Sequence, residues 1–70
     1  MMTFICDYAV VSPAVLELMI QNKSSRLFCN WWEESEDSFA FRVFTLDGEG
    51  LSSAEREMIS AIVNPAVYTA

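Results

Sequence analysis

The sequence predicts a small two-layer α+β domain in the order β-α-β-β-α, a three-stranded sheet with two helices. Three patterns predict it. Residues 3–11 and 26–46 alternate side chains with the period of a strand. Residues 12–22 and 52–64 carry helix-start signals followed by apolar residues at helical spacing. Elements in that order pack most simply with both helices on the apolar face of one sheet.

The first strand, residues 3–11, places Phe4, Cys6, Tyr8 and Val10 on one face and Ile5, Asp7 and Ala9 on the other. Neither face is strongly polar, which suits a central strand or one covered on both sides. Ser12 then caps a helix and Pro13 occupies its first position, where the missing N–H costs nothing. This helix runs to about Asn22 and is apolar nearly all round, which points to deep burial or a partner contact. Residues 22–25 form a polar connector.

Residues 26–46 read as a hairpin. They hold both tryptophans and four of the five phenylalanines. Strands 26–32 and 38–46 are rich in aromatic and β-branched residues, and the acidic run between them is a permissible loop. With Trp32 opposite Ser38, one face collects Leu27, Cys29, Trp31, Phe39, Phe41 and Val43, the expected core. The other face collects Arg26, Phe28, Asn30, Trp32, Ser38, Ala40, Arg42 and Phe44.

Residues 47–50 form a tight turn with Gly48 and Gly50 supplying positive φ. Ser52 and Glu55 have the spacing of a capping box. Ala54, Met58, Ile59, Ile62 and Val63 make one apolar stripe, and the Asn64 and Pro65 pair ends the helix. The tail, 66–70, is expected to be anchored by Val67 or Tyr68.

Seventy residues make one domain, spanning 1–70, and a chain this small is marginal on its own. A hydrophobic share of 53% is more than such a domain buries, so some apolar surface stays open or is covered by a partner. The net charge of −6 repels phosphate and disfavours direct binding to nucleic acid or anionic membranes; it favours a basic partner. No run approaches the ~20 apolar residues of a membrane span, and no basic signal-peptide region opens the chain. Cys6 and Cys29 fit no metal pattern and read as two thiols in a reducing cytoplasm. A disulfide between them requires that their strands be neighbours.

Chemistry-bearing motifs are missing. Histidine is absent, so the commonest general base and metal ligand is unavailable to Ser12, Ser52 or Ser53, which read as caps. Glu33, Glu34, Glu36 and Asp37 are hard oxygen donors without a defined ligand spacing. Asp47, Gly48, Glu49 and Gly50 suggest a calcium loop, but Ser52 stands at the required glycine and Met58 at the required glutamate. The glycines precede no phosphate-binding lysine. No enzyme activity, cofactor or metal is expected.

The sharper signal is the mixed hairpin face. Phe28, Trp32 and Phe44 interleave with Arg26, Arg42 and Asn30, a chemistry that serves both protein hot spots and single-stranded nucleic-acid stacking. Only four basic residues stand against ten acids, which favours protein. Eight of those acids lie from Glu33 to Glu57. The intervening strand would separate the 33–37 run from Asp47 and Glu49 by ~30 Å if extended, a spread able to imitate a phosphate backbone.

In size and makeup the chain resembles the small acidic proteins that phages carry to block host enzymes or CRISPR complexes. The resemblance is one of class and attaches to no motif. It implies a non-enzymatic inhibitor that occludes a larger nucleic-acid-handling protein such as a CRISPR effector, with nucleic-acid mimicry as one mode. The expected partner surface is Trp32, Phe28, Phe44, Arg26, Arg42 and Asn30 with Glu33, Glu34, Glu36, Asp37, Asp47 and Glu49. Two other classes compete: a structural homodimer whose mixed faces pair, and a single-stranded nucleic-acid binder.

Overall fold

The computed structural model describes residues 1–69 and has the order β1 (Met2–Asp7), α1 (Pro13–Gln21), β2 (Phe28–Glu33), β3 (Ser38–Phe44), α2 (Ser53–Val63), with a 3-10 turn over Asn64–Ala66. The three strands form one antiparallel sheet in the order β1-β3-β2. The α+β architecture is therefore the one the sequence predicts. The central strand is β3, however, not the first strand. β3 is buried along most of its length because it alone has a neighbour on both sides.

β1 is shorter than the 3–11 run. Asp7 ends it: its carboxylate accepts the Ala9 N–H at 2.8 Å and its carbonyl accepts the Val10 N–H at 3.0 Å. An aspartate that bonds the backbone two residues on folds the chain into a turn. α1 begins as expected, with Ser12 Oγ accepting the Val15 N–H at 3.2 Å. α2 carries the full capping box of Ser52 and Glu55.

The hairpin register is two residues from the expected one: Trp32 pairs with Ala40, not Ser38. The turn is tighter than the acidic run. Glu33 joins the strand opposite Phe39, and the Glu34 N–H donates to the Ser38 carbonyl at 3.0 Å. Inside the turn, Ser35 and Ser38 share a hydroxyl hydrogen bond of 2.8 Å and Ser35 Oγ accepts the Asp37 N–H. A two-residue shift leaves every side chain on its expected face.

One face carries the core. Phe39, Phe41 and Val43 of β3 pack with Cys6, Leu16, Ile20, Leu27, Ile59, Val63 and Ala66. Both helices lie on this side, α1 over β2, and α2 against β1 and α1. Trp31 is on the same side but is not in the core. It stands 45% exposed, touching Phe39 edge-on at 6.2 Å between ring centres. β2 is an edge strand, so no further strand walls the indole in. Cys6 and Cys29 are separated by β3, about 9–10 Å laterally at the usual strand spacing, beyond disulfide reach; both are free. The tail docks as expected, with Val67 bridging Cys6 and the Tyr68 N–H donating to the Ile5 carbonyl at 2.7 Å.

Candidate functional site

The opposite face of the sheet carries no helix. Alternation and register put Thr3, Ile5 and Asp7 of β1, Ser38, Ala40, Arg42 and Phe44 of β3, and Phe28, Asn30 and Trp32 of β2 on it. Its rows can be read across the sheet. Ile5, Ala40 and Trp32 form one row, and the alanine is wholly buried between its two larger neighbours, each 39% exposed. Thr3, Arg42 and Asn30 form the next. Phe44 and Phe28 close the face, their rings 6.3 Å apart and near parallel.

Arg42 is the polar centre of this face. Its guanidinium lies over the Trp32 ring, 4.9 Å from the centroid. Its Nε is buried and makes no hydrogen bond among the described residues. Buried donors are nearly always paired, so an orphaned one requires an explanation. Trp32 is fixed from its other end, where Nε1 donates to Glu34 Oε1 at 2.7 Å.

Glu34 therefore joins the aromatic face to the acidic turn. Glu33 belongs to the helix side by alternation; there, desolvation of the Tyr8 hydroxyl and, after it, the Glu33 charge raise that hydroxyl above its ordinary pKa. Glu36 and Asp37 sit at the exposed turn tip. No three carboxylate or thiol side chains among the described residues converge on a metal-sized site.

Compared with known protein families, curated proteins and solved structures, the chain has no match.

Arg26 is a correction. It precedes β2 and is not part of the open face. Its guanidinium donates to Asp47 at 3.0 Å, to Glu55 and to the Gly50 carbonyl at 3.0 Å, tying the connector, the 47–50 turn and the start of α2 together. Asp47 is held below its ordinary pKa first by the Glu49 N–H and then by Arg26. Glu55 is held below its own first by the Ser52 N–H and then by Arg26. Asp47 is thus bound to a structural arginine, while Glu49 stays exposed beside it. β3 runs between the two acidic turns.

Two features lie outside the partner surface expected from the sequence. Val15, Leu18 and Met19 of α1 stay exposed, Leu18 to 61%, while Pro13, Leu16 and Ile20 are buried. The all-round apolar character of this helix was the available signal. The other is the outer edge of β2, which only the strand order reveals. Burial raises both thiols to about 11, with Glu17 adding to the effect at Cys29, so both stay protonated at neutral pH. No helix among the described residues is long and apolar enough to cross a membrane.

Proposed function

We propose that the protein is a non-enzymatic binding module that works in the cytoplasm by occluding a larger, basic, nucleic-acid-handling protein. The observation that supports this reading is the helix-free sheet face, where Phe28, Trp32 and Ile5 lie open around a half-buried Arg42, beside an acidic turn. Aromatic and arginine side chains grouped on a rigid sheet are what protein hot spots are made of. The acids at the turn supply steering toward a basic surface. A phage-type inhibitor of a CRISPR effector is the specific form of this reading, and the spread of carboxylates is what mimicry of a phosphate backbone would use.

The test uses the protein and its Trp32→Ala form, each immobilised and exposed to lysate of the native host. Capture of a basic nucleic-acid-handling protein by the first and not by the second supports the reading. Equal capture by both moves the site off the sheet face. Tight binding of a single-stranded oligonucleotide, weakened steeply by salt, replaces the reading with a nucleic-acid one.

A further inference from the structure

We propose that the outer edge of β2 pairs antiparallel with β2 of a second copy, about a two-fold axis at Trp31, to make one six-stranded sheet. The hydrogen bonding of the hairpin sets this up. Because the Glu34 N–H bonds the Ser38 carbonyl, alternation directs the backbone groups of Phe28, Asn30 and Trp32 at β3. Those of Cys29, Trp31 and Glu33 point outward, and they have no hydrogen-bond partner among the described residues.

The two edges of the sheet are treated differently. On β1, the Tyr68 N–H bonds the Ile5 carbonyl and Val67 lies against Cys6, so the tail covers part of the edge. β2 has no such cover. Its sequence, FCNWWE, holds no proline and no lysine, and its pairing with β3 is continuous without a bulge. Proline, lysine and a bulge are among the devices that keep an exposed edge from pairing, and this strand has none of them; its one charge, Glu33, stands at its end.

A second copy fits this edge better than an arbitrary strand does. Outward-directed residues must pair with outward-directed residues. Centring the axis on Trp31 uses all three: Trp31 meets the second copy's Trp31, and Cys29 meets its Glu33. The contact is isologous and closes at two. The same register sets Asn30 beside the second copy's Trp32, so each exposed indole gains a neighbour. Charge agrees with the direction. Antiparallel pairing carries Glu36 and Asp37 of one copy toward residues 23–26 of the other, where Lys23 makes no salt bridge among the described residues and Arg26 already holds Asp47 and Glu55. A parallel arrangement would set the two acidic turns side by side. The pairing also joins the two open faces into one, leaving Phe28 and Arg42 of both copies on the same side.

The experiment is done without any partner, so its outcome is separate from that of the proposed function. Sedimentation equilibrium should give twice the chain mass of 7.9 kDa. Amide exchange should find Cys29, Trp31 and Glu33 protected, and increasingly so with concentration. Of the backbone groups Trp31→Pro removes only an outward N–H, at the cost of the indole's edge contact with Phe39, and should give a folded monomer, while Asn30→Pro removes a bond to β3 and should unfold the hairpin. If Trp31→Pro does not fold, Trp31→Lys keeps the backbone and places a charge on the edge, and it should be monomeric. A wild-type monomer with those three amides exchanging freely overturns the proposal. So does a dimer that survives Trp31→Lys, because it must use another surface.

Discussion

The Arg42 guanidinium lies over the Trp32 indole at 4.9 Å, on the face of the sheet that no helix covers. Neither side chain is needed to close the core, since the core lies on the other face. A partly exposed cation–π pair contributes about 0.5–1 kcal/mol. Trp32→Ala should therefore shift thermal unfolding only slightly. It should weaken partner binding by about 2 kcal/mol or more, as removal of an aromatic hot spot does. Calorimetric titration and thermal unfolding on one preparation separate the two effects. A large loss of stability with intact binding would make Trp32 a structural residue.

Phe41 is the opposite case. It is fully buried at the centre of the sheet, paired with Phe4 on one side and Trp31 on the other, and in edge contact with Phe39. Phe41→Ala should cost about 3–5 kcal/mol from lost burial and the cavity left behind. That is a large part of the stability of so small a domain. Chemical denaturation measures it; a loss under about 1 kcal/mol would mean that the site collapses around the alanine.

The comparison of Phe41 with Trp31 shows what was legible in the sequence. Period-two alternation assigned the faces of β2 and β3 correctly, because burial depends on face. It could not fix the register, because a two-residue shift preserves every face; the observed register goes with a turn closed by the Ser35–Ser38 hydrogen bond. Nor could it place Trp31. Its exposure depends on β2 being an edge strand, a property of the strand order. Arg26 was misplaced for a related reason. Its partners Asp47 and Glu55 are 21 and 29 residues away, and nothing local in the chain announces them. The end of β1 was legible in principle, since Asp7 is a common turn-former. The candidate surface was mostly visible because aromatics and arginine alternating with polar residues mark a half-open face.

Ser52 tests the start of α2. Its hydroxyl accepts the Glu55 N–H at 3.1 Å, and the Glu55 carboxylate returns to the Ser52 N–H at 2.9 Å. Ser52→Ala should cost roughly 0.5–2 kcal/mol in thermal or chemical unfolding. Ser53→Ala should be nearly silent, because Ser53 is already inside the helix and exposed. The reverse ranking would move the cap by one residue.

The Arg26 network predicts a pH dependence. Asp47 and Glu55 titrate below their ordinary values of 3.8 and 4.5 in the folded protein. The unfolded chain therefore takes up protons first as the pH falls. Their contribution is complete above the ordinary values and is lost as the pH drops through the lowered ones. The melting temperature should accordingly be level down to about pH 5 and then decline. Arg26→Gln leaves the Glu49 and Ser52 N–H groups in place but removes the guanidinium, so its decline should be shallower and its neutral-pH stability lower. Identical acid slopes for the two proteins would show that the arginine does not set these carboxylates.

The acidic turn offers the last prediction, which concerns rate. Glu33, Glu36 and Asp37 have no ion-pair partner among the described residues, and Glu34 is bound only by the neutral Trp32 indole. Their field therefore reaches solvent uncompensated, screened over about 8 Å at physiological salt. Charges placed like this act on diffusional encounter more than on the docked complex. Replacing Glu33, Glu34 and Glu36 by Gln and Asp37 by Asn should slow association with a basic partner by about tenfold or more at low salt. The difference should shrink as salt rises, with the off-rate nearly unchanged. Glu34 needs a separate control, because Glu34→Gln keeps an oxygen for Trp32 Nε1 while removing the charge. Stopped-flow or surface-based kinetics at several ionic strengths gives both rates. An off-rate raised by orders of magnitude would instead place these carboxylates inside the contact, where they would take the position of phosphates on the partner's basic surface.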